Sequence, residues 1–358
     1  ADNGEMPQQR PTPSPQGQVP EPWEHQRQHG SEDGTQLVSH TPRVRVGAIY
    51  RLRCRRPRRI TTVNRRPVVR SGMSRQRATA FVPGHVTAFF SAHPAERPAA
   101  AGSRGAGVAL TDGVTVRVTA ETDAGRADAT GSRTIDGEPG TIGAVEDVLA
   151  ALQSDGVDVA IETEVPIGAG FGVSGAAALG AALATNDARD RGWSENELVR
   201  IAHEAEVGRG TGLGDVVAQA RGGVPIRVAP GAPGVGDLDG VPGTARVEYV
   251  TFGELSTEAV LGGDTATLSA AGATALDRLR ADPRLPTLMG AAREFAGEAE
   301  LLVSEVAEAI AAVDAARDES SDAVDDAGAA LAMLGRTVLA LGTGLSDARY
   351  DPEVCPAA

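Results

Sequence analysis

The chain has 358 residues and no lysine, and its 34 arginines are outnumbered by 48 acidic residues, giving a formal net charge of −14. This length is typical of about two domains, and the 3% aromatic content means that any core is built from alanine, valine and leucine. No apolar run is long enough for a membrane span, and two cysteines cannot form a disulfide framework or a metal cluster. We therefore expect a soluble, cytoplasmic protein that does not bind a membrane.

The charge is distributed unevenly along the chain. Residues 1–72 contain 13 arginines and 6 acidic residues, whereas residues 73–358 contain 21 arginines and 42 acidic residues. An acidic surface without lysine keeps a protein soluble through self-repulsion and resembles the surfaces of halophilic proteins. This charge argues against nucleic acid as a partner.

Residues 1–72 do not have the composition of a folded domain. The first 45 are rich in Gln, Pro, Gly and His without a sustained apolar period, which is typical of disorder. The arginine cluster at 51–59 would suit RNA binding or a localisation signal, but the composition changes abruptly at Met73. We predict that 1–72 is disordered or an upstream extension of the reading frame, with an RNA-binding segment as the alternative.

From residue 73 onwards the patterns predict an α+β fold. The predicted strands are Ala78–Phe90, Ala106–Leu110, Val114–Ala120, Val157–Val165, Val247–Phe252 and Ala259–Gly262. The predicted helices are Ile142–Gln153, Ser174–Asn186, Ser194–Val207 with a capping serine, Gly212–Arg221, Ala273–Ala281, Pro286–Ala296, Leu301–Ala316 and Ala323–Leu341. Asp112-Gly113 predicts a tight hairpin turn. The Pro/Gly-rich stretch 229–246 predicts a boundary between two domains, 73–228 and 229–358.

The segment from Pro166 to Gly180, PIGAGFGVSGAAALG, carries the clearest chemical signal. It places a glycine-rich turn between a predicted strand and a predicted helix, where unpaired backbone N–H groups and the helix dipole attract phosphate. Glycine lets a phosphate approach the backbone, and Ser174 adds a hydroxyl. The segment is not a Walker loop, which needs lysine, and it lacks the later acidic residue of a dinucleotide site.

This segment resembles the second signature of the GHMP kinases, Pro-x-Gly-x-Gly-Leu-Gly-Ser-Ser-Ala, with Phe171, Val173 and Gly175 replacing the leucine, first serine and alanine. Three further segments resemble motifs of the same family, and together they are most similar to the archaeal pantoate kinases: FVPGH at 81–85, GSRGAG at 102–107 and GTGLGDV at 210–216. The resemblance covers roughly residues 78 to 355. It implies a ribosomal-S5-like N-terminal domain followed by a ferredoxin-like C-terminal domain.

The resemblance also implies a site for ATP and Mg2+. The nucleotide would be bound by Pro166, Gly168, Gly170, Phe171, Gly172, Ser174 and Gly175. Ser174 and one acid of the next helix, Glu204 or Glu206, would hold the metal, and the sequence does not decide between the two acids because a step of two residues turns a helix by about 200°.

The acceptor side of the site rests on three more residues. Asp215 matches the carboxylate that orients the accepting hydroxyl, although homoserine kinases work without such a base. Arg104 could offer a bidentate fork to a substrate carboxylate, and His85 could hydrogen-bond the same substrate. The implied substrate is a small acid, pantoate, and the resemblance is also compatible with a homodimer.

The third glycine-rich motif of the family has only loose counterparts at 333–337 and 341–345. Three alternatives therefore stay open. The protein could be a GHMP kinase that acts on homoserine, shikimate or mevalonate, or a non-catalytic homologue that binds a metabolite. The third alternative is an RNA-binding protein that uses the arginine-rich segment.

Overall fold

The computed structural model describes residues 77–120, 131–253, 265–319, 327–332 and 336–356. The predictions for residues 1–72 and for a strand at 259–262 lie outside this range. The strands are β1 Arg77–His93, β2 Gly102–Thr119, β3 Arg133–Ile135, β4 Glu138–Pro139, β5 Asp158–Thr163, β6 Val224–Ala229, β7 Asp237–Val241, β8 Arg246–Thr251, β9 Gly328–Ala332, β10 Thr337–Leu341 and β11 Glu353–Pro356.

The helices and strands occur in separate runs along the chain, as is typical of an α+β fold. They are α1 Gly143–Ala151, α2 Val173–Ala188, α3 Glu195–Arg209, α4 Asp215–Arg221, α5 Ala266–Ala281, α6 Leu285–Glu298, α7 Ser304–Glu319 and α8 Gly344–Asp347. Helix α3 begins with the predicted cap: the Ser194 hydroxyl accepts from the N–H of Glu197, and the Glu197 carboxylate accepts from the N–H of Ser194. No helix in the described part of the chain is long and apolar enough to cross a membrane.

The first sheet is organised around the long strand β2. Strand β1 runs antiparallel to it over nearly its full length, and the remaining order is β4-β3-β5-β2-β6-β7. Strand β5 pairs with the half of β2 from Val114 to Thr119, whereas β6 pairs near its start at Gly105 and Ala106. The loop that follows β5 and the helix that precedes β6 therefore meet over the middle of the β1–β2 pair.

The second sheet has the order β11-β8-β10-β9 and is entirely antiparallel. Its strands β9 and β10 replace a helix that the sequence predicted over 323–341, and that prediction is wrong. All ten positions of the two strands are buried. An apolar run that is buried on both faces does not alternate, so its periodicity cannot distinguish a strand from a helix.

The predicted turn at Asp112-Gly113 is also wrong, because β2 continues through it. Gly113 pairs with Pro83, next to a register shift between Pro83 and His85. A Cβ on Gly113 would lie 2.2 Å from the carbonyl oxygen of Val82. The glycine is therefore needed for a close approach of two strands rather than for a turn.

The boundary predicted at 229 falls inside the first sheet. Strand β7 lies within the Pro/Gly-rich stretch and pairs with β6 from Val224 to Ala229. All the described residues belong to one compact unit.

Two glycines bring helices directly onto the β1–β2 pair. A Cβ on Gly180 of α2 would lie 2.6 Å from the Val116 side chain, and one on Gly272 of α5 would lie 1.8 Å from the carbonyl oxygen of Phe90. A backbone oxygen cannot swing away as a side chain can. The position of α5 on β1 therefore requires glycine at 272.

We predict that Gly272→Ala destabilises the protein by about 1–3 kcal/mol, because the added methyl group overpacks the α5–β1 contact and this cost exceeds the gain in helix propensity. Gly297→Ala in α6 is the matched control, since a Cβ there meets nothing within 4 Å. The control is expected to be neutral or slightly stabilising. Denaturant unfolding of the two variants checks this, and equal effects would contradict the packing argument.

Candidate functional site

The glycine-rich loop connects β5 to α2 and turns through left-handed backbone conformations. Gly168, Gly170 and Gly172 have φ angles of 78°, 89° and 64°. Gly172 is the N-cap of α2, and no side chain caps this end of the helix. The first N–H groups of α2 thus remain available for an anion beside the exposed tip of the loop, formed by Ile167 and Gly168.

The loop is anchored by Phe171. Its ring is buried and lies 4.6 Å, centroid to centroid, from the ring of Tyr249 on β8. Its carbonyl oxygen accepts a hydrogen bond of 3.0 Å from the N–H of His85. The side chain of Phe171 therefore holds the loop in place, and only its backbone faces the region where a nucleotide could bind.

Ser174, in the first turn of α2, forms the hydroxyl side of the site. Its Oγ donates a hydrogen bond of 2.5 Å to Oε1 of Glu206 on α3. Glu204 points away and is paired instead with Arg200, its neighbour one turn earlier on α3, at 3.0 Å. Of the two acids considered from the sequence, the structure brings Glu206 to Ser174.

The Glu206 carboxyl is buried, and this burial raises its pKa to about 7. The hydrogen bond from Ser174 opposes the shift, and the negative charge of Asp215 adds to it. A Cβ on Gly212 would lie 2.6 Å from Glu206 Oε2 and 3.7 Å from Asp215 Oδ2. The two acids therefore border the same small space, which stays open because residue 212 is glycine.

Asp215, at the start of α4, is held by two residues of β1. The ring Nδ1 of His85 lies 2.7 Å from Asp215 Oδ1, and the Thr87 hydroxyl donates to the same oxygen at 3.4 Å. Burial acts to raise the pKa of Asp215, but the hydrogen bond from His85 and the positive charge of Arg227 outweigh it and hold the pKa below its ordinary value. Asp215 is therefore a carboxylate whose Oδ2 faces the space beside Glu206.

His85 itself is fully buried, and burial lowers its pKa despite the bond to Asp215. Its Nε2 faces Gly107, where a Cβ would lie 2.4 Å away, and it has no hydrogen-bond partner among the residues that the structure describes. The structure thus places His85 behind Asp215, as its support, rather than in front of it beside a substrate.

Arg227 on β6 was not singled out in the sequence, although its positive charge helps to lower the pKa of Asp215. It is buried, its Nε donates to the Ser103 hydroxyl at 3.1 Å, and its Nη1 has no partner in the described part of the chain. Gly214, directly before Asp215, lies against both side chains, with a Cβ 2.7 Å from Arg227 Nε and 2.6 Å from Ser103 Oγ. The sequence gives little indication that Arg227 belongs to the site, because the segment VPIRVA at 224–229 has the pattern of an ordinary apolar strand with one polar position.

Arg104 does not join this group. Its Nε donates to the carbonyl oxygen of Val228 at 2.9 Å. Successive residues of a strand point to opposite faces, so Arg104 lies on the face of β2 opposite to Ser103 and Gly107. Ser103, the residue before Arg104, therefore faces the candidate site, whereas Arg104 does not.

Gly175 and the C-terminal segment complete the surroundings. A Cβ on Gly175 would meet the side chains of Val216 and Gln219 at 3.1 Å, so this glycine allows α4 to pack on α2. Thr337, within the loose counterpart of the third glycine motif, donates to the carbonyl oxygen of Ala169 at 3.2 Å. Thr337 thus contacts the loop.

The raised pKa of Glu206 predicts that the free energy of unfolding depends on pH. The pKa of this carboxyl is near its ordinary value of 4.5 in the unfolded chain and about 7 in the folded protein. Between these two pH values the folded state binds more protons than the unfolded state, so the free energy of unfolding falls as the pH rises. We predict that Glu206→Gln is more stable than wild type by up to about 3 kcal/mol at pH values above about 7, with little difference below about pH 4.5.

Thermal unfolding across this pH range measures the difference, and Glu204→Gln is the control because that side chain is partly exposed and paired with Arg200. A difference for Glu206→Gln that does not change with pH would show that the carboxyl titrates normally.

The segment that carries this site matches a known protein family. The family model described as the GHMP kinases N terminal domain matches residues 141–223, which contain the loop, Ser174, Glu206 and Asp215. The pantoate kinase of Thermococcus kodakarensis is 35% identical over 271 residues, covering 73% of this chain and 86% of that protein. The pantoate kinase of Methanospirillum hungatei is 34% identical, covering 75% and 89%.

Solved structures share the fold. A protein described as a phosphotransferase related to the CoA biosynthesis pathway is 31% identical and superposes with a TM-score of 0.66 over 78% of this chain and 96% of its own. This agrees with the predicted α+β fold of the GHMP kinases. Relatives of this identity and coverage establish the family, and the chain belongs to the GHMP kinases.

Proposed function

We propose that this protein is an ATP-dependent kinase that phosphorylates pantoate to 4-phosphopantoate, a step of coenzyme A synthesis. The observation that carries the proposal is the convergence of an uncapped α2 N-terminus, the Ser174–Glu206 pair and the Asp215 carboxylate on one side of the β1–β2 pair. Phosphoryl transfer requires these three elements: donors for phosphate, ligands for a metal and a group that orients the accepting hydroxyl. The relatives named pantoate kinase support this acceptor.

The residues present fit Mg2+. No group of three or more His, Cys, Asp or Glu side chains in the described ranges could hold a metal alone. Mg2+ bound with a nucleotide does not need such a cage, because one or two carboxylates and the phosphates themselves supply its oxygen ligands. Ser174 and Glu206 would hold the ion, whose role is to neutralise phosphate charge.

The acceptor side follows from the hydrogen bonds of Asp215. Its Oδ1 is occupied by His85 and Thr87, so Oδ2 is the oxygen left to accept the hydroxyl proton. Because His85 and Thr87, both on strand β1, hold the Asp215 carboxylate in place, the hydroxyl would be oriented without reorganisation of the site.

The substrate carboxylate is assigned to Arg227 rather than to Arg104. Arg227 lies on the Asp215 side of the sheet, is buried, and has an Nη1 without a partner among the described residues. A buried guanidinium with free donors suits a small acid.

We further propose that the enzyme works in the cytoplasm, tolerates concentrated salt because of its acidic surface, binds no nucleic acid and forms a homodimer. The acidic excess beyond residue 72 supports the salt tolerance and the lack of nucleic-acid binding.

An ATP-consumption assay in concentrated KCl, with pantoate, homoserine, shikimate and mevalonate offered separately, tests the proposed reaction. Pantoate is expected to be turned over fastest. Ser174→Ala should lower that turnover roughly tenfold or more, because it removes a ligand from a site that acts by position and charge. Faster turnover of homoserine, or an unaffected Ser174→Ala, would contradict the proposal.

Substituting both arginines by lysine separates the two substrate assignments. Arg227→Lys should raise the KM for pantoate roughly tenfold with little change in the KM for ATP, because an ammonium cannot form the two parallel hydrogen bonds of a guanidinium. Arg104→Lys, on the other face of β2, should leave both KM values nearly unchanged. The opposite pattern in steady-state kinetics would return the role to Arg104.

A further inference from the structure

Gln219 lies one helical turn after Asp215 on α4, so the two side chains are on the same face of the helix. It is fully buried, and its Nε2 donates a hydrogen bond of 2.9 Å to the carbonyl oxygen of Gly172. Gly172 is the left-handed N-cap from which α2 starts, with φ 64° and ψ 31°. The side-chain amide of Gln219 therefore contacts the loop at the residue that sets the direction of the first N–H groups of α2.

The fit between α4 and the loop is close on both sides of this bond. A Cβ on Gly172 would lie 2.9 Å from Gln219 Nε2 and 3.3 Å from Asp215 Cβ, and one on Gly175 would lie 3.1 Å from Gln219 Oε1. The orientation of the amide follows from this contact, because a carbonyl oxygen only accepts and must face the NH2 group. The absence of a side chain at Gly172 and at Gly175 therefore leaves the space that the Gln219 side chain fills.

Stability alone does not explain a glutamine at this position. Its Oε1 is buried and has no hydrogen-bond partner among the residues that the structure describes. A buried acceptor without a partner costs free energy, and an apolar side chain of similar length would avoid that cost. The bond to Gly172 is therefore the contact that accounts for a glutamine here.

We propose that Gln219 is a positioning residue that fixes the phosphate-binding loop relative to Asp215. Because Gln219 and Asp215 are on the same short helix, the bond to Gly172 sets the distance between the α2 N-terminus and the acceptor carboxylate. The inference rests on the proposed function, in which this loop binds the nucleotide phosphates. Gln219 does not touch either substrate, and its effect passes through the backbone of Gly172.

The test is to compare Gln219→Met with wild type. Methionine keeps the length of the side chain and removes the donor. We expect the Kd for ADP, measured by calorimetry, and the KM for ATP to rise roughly fivefold, as for loss of one hydrogen bond, while the KM for pantoate at saturating ATP stays nearly unchanged. A merely structural role would reduce the fraction of active enzyme without changing either nucleotide constant.

Thr185→Val is the matched control. Thr185 is a fully buried residue of α2 whose hydroxyl also lacks a partner among the described residues, and this change should leave the Kd for ADP unchanged. If Gln219→Met does not fold, Gln219→Asn, which withdraws the amide by one methylene group, is judged by the same criterion. If the wild-type protein does not bind ADP, the proposed function is wrong. If the wild-type protein binds ADP, but no more tightly than the folded Gln219 variant does, only the positioning role of Gln219 is wrong.

Discussion

The candidate site depends on two hydrogen bonds made by one residue of β1. The main-chain N–H of His85 donates to the carbonyl oxygen of Phe171 in the loop, and the ring Nδ1 bonds the carboxylate of Asp215 on α4. The loop and α4 belong to segments far apart in sequence, and both are held by this strand position. The strand in turn is held by its register with β2, where Gly107 leaves room for the His85 ring.

The second sheet supports the loop from another direction. Tyr249 on β8 packs its ring on Phe171, and Thr337 on β10 donates to the carbonyl oxygen of Ala169. These two strands are neighbours, with Tyr249 opposite Leu339. The loop is therefore held by contacts to both sheets, which support its left-handed glycines.

Much of this arrangement is predictable from the sequence because the signals are local. The glycine-rich turn, the start of α2 and the Ser194 cap each depend on residues within one or two turns, and they were found. The choice between Glu204 and Glu206 needs the rotation of α3 relative to α2, which no local pattern contains. For a related reason the sequence does not show that Arg227, and not Arg104, lies on the Asp215 side of the sheet, since neighbouring strand positions differ only in the face that they occupy. The buried strands β9 and β10 were missed because their alanines and leucines favour a helix until a sheet surrounds them.

Strand β11 ties the two sheets together close to the site. It forms the edge of the second sheet beside β8, and the Cys355 thiol packs on the first sheet, with Sγ 3.2 Å from the Asp112 nitrogen. Glu353 of β11 lies opposite Tyr249 of β8, whose ring packs on Phe171. This edge strand therefore connects the loop, through β8, to the part of β2 around Asp112.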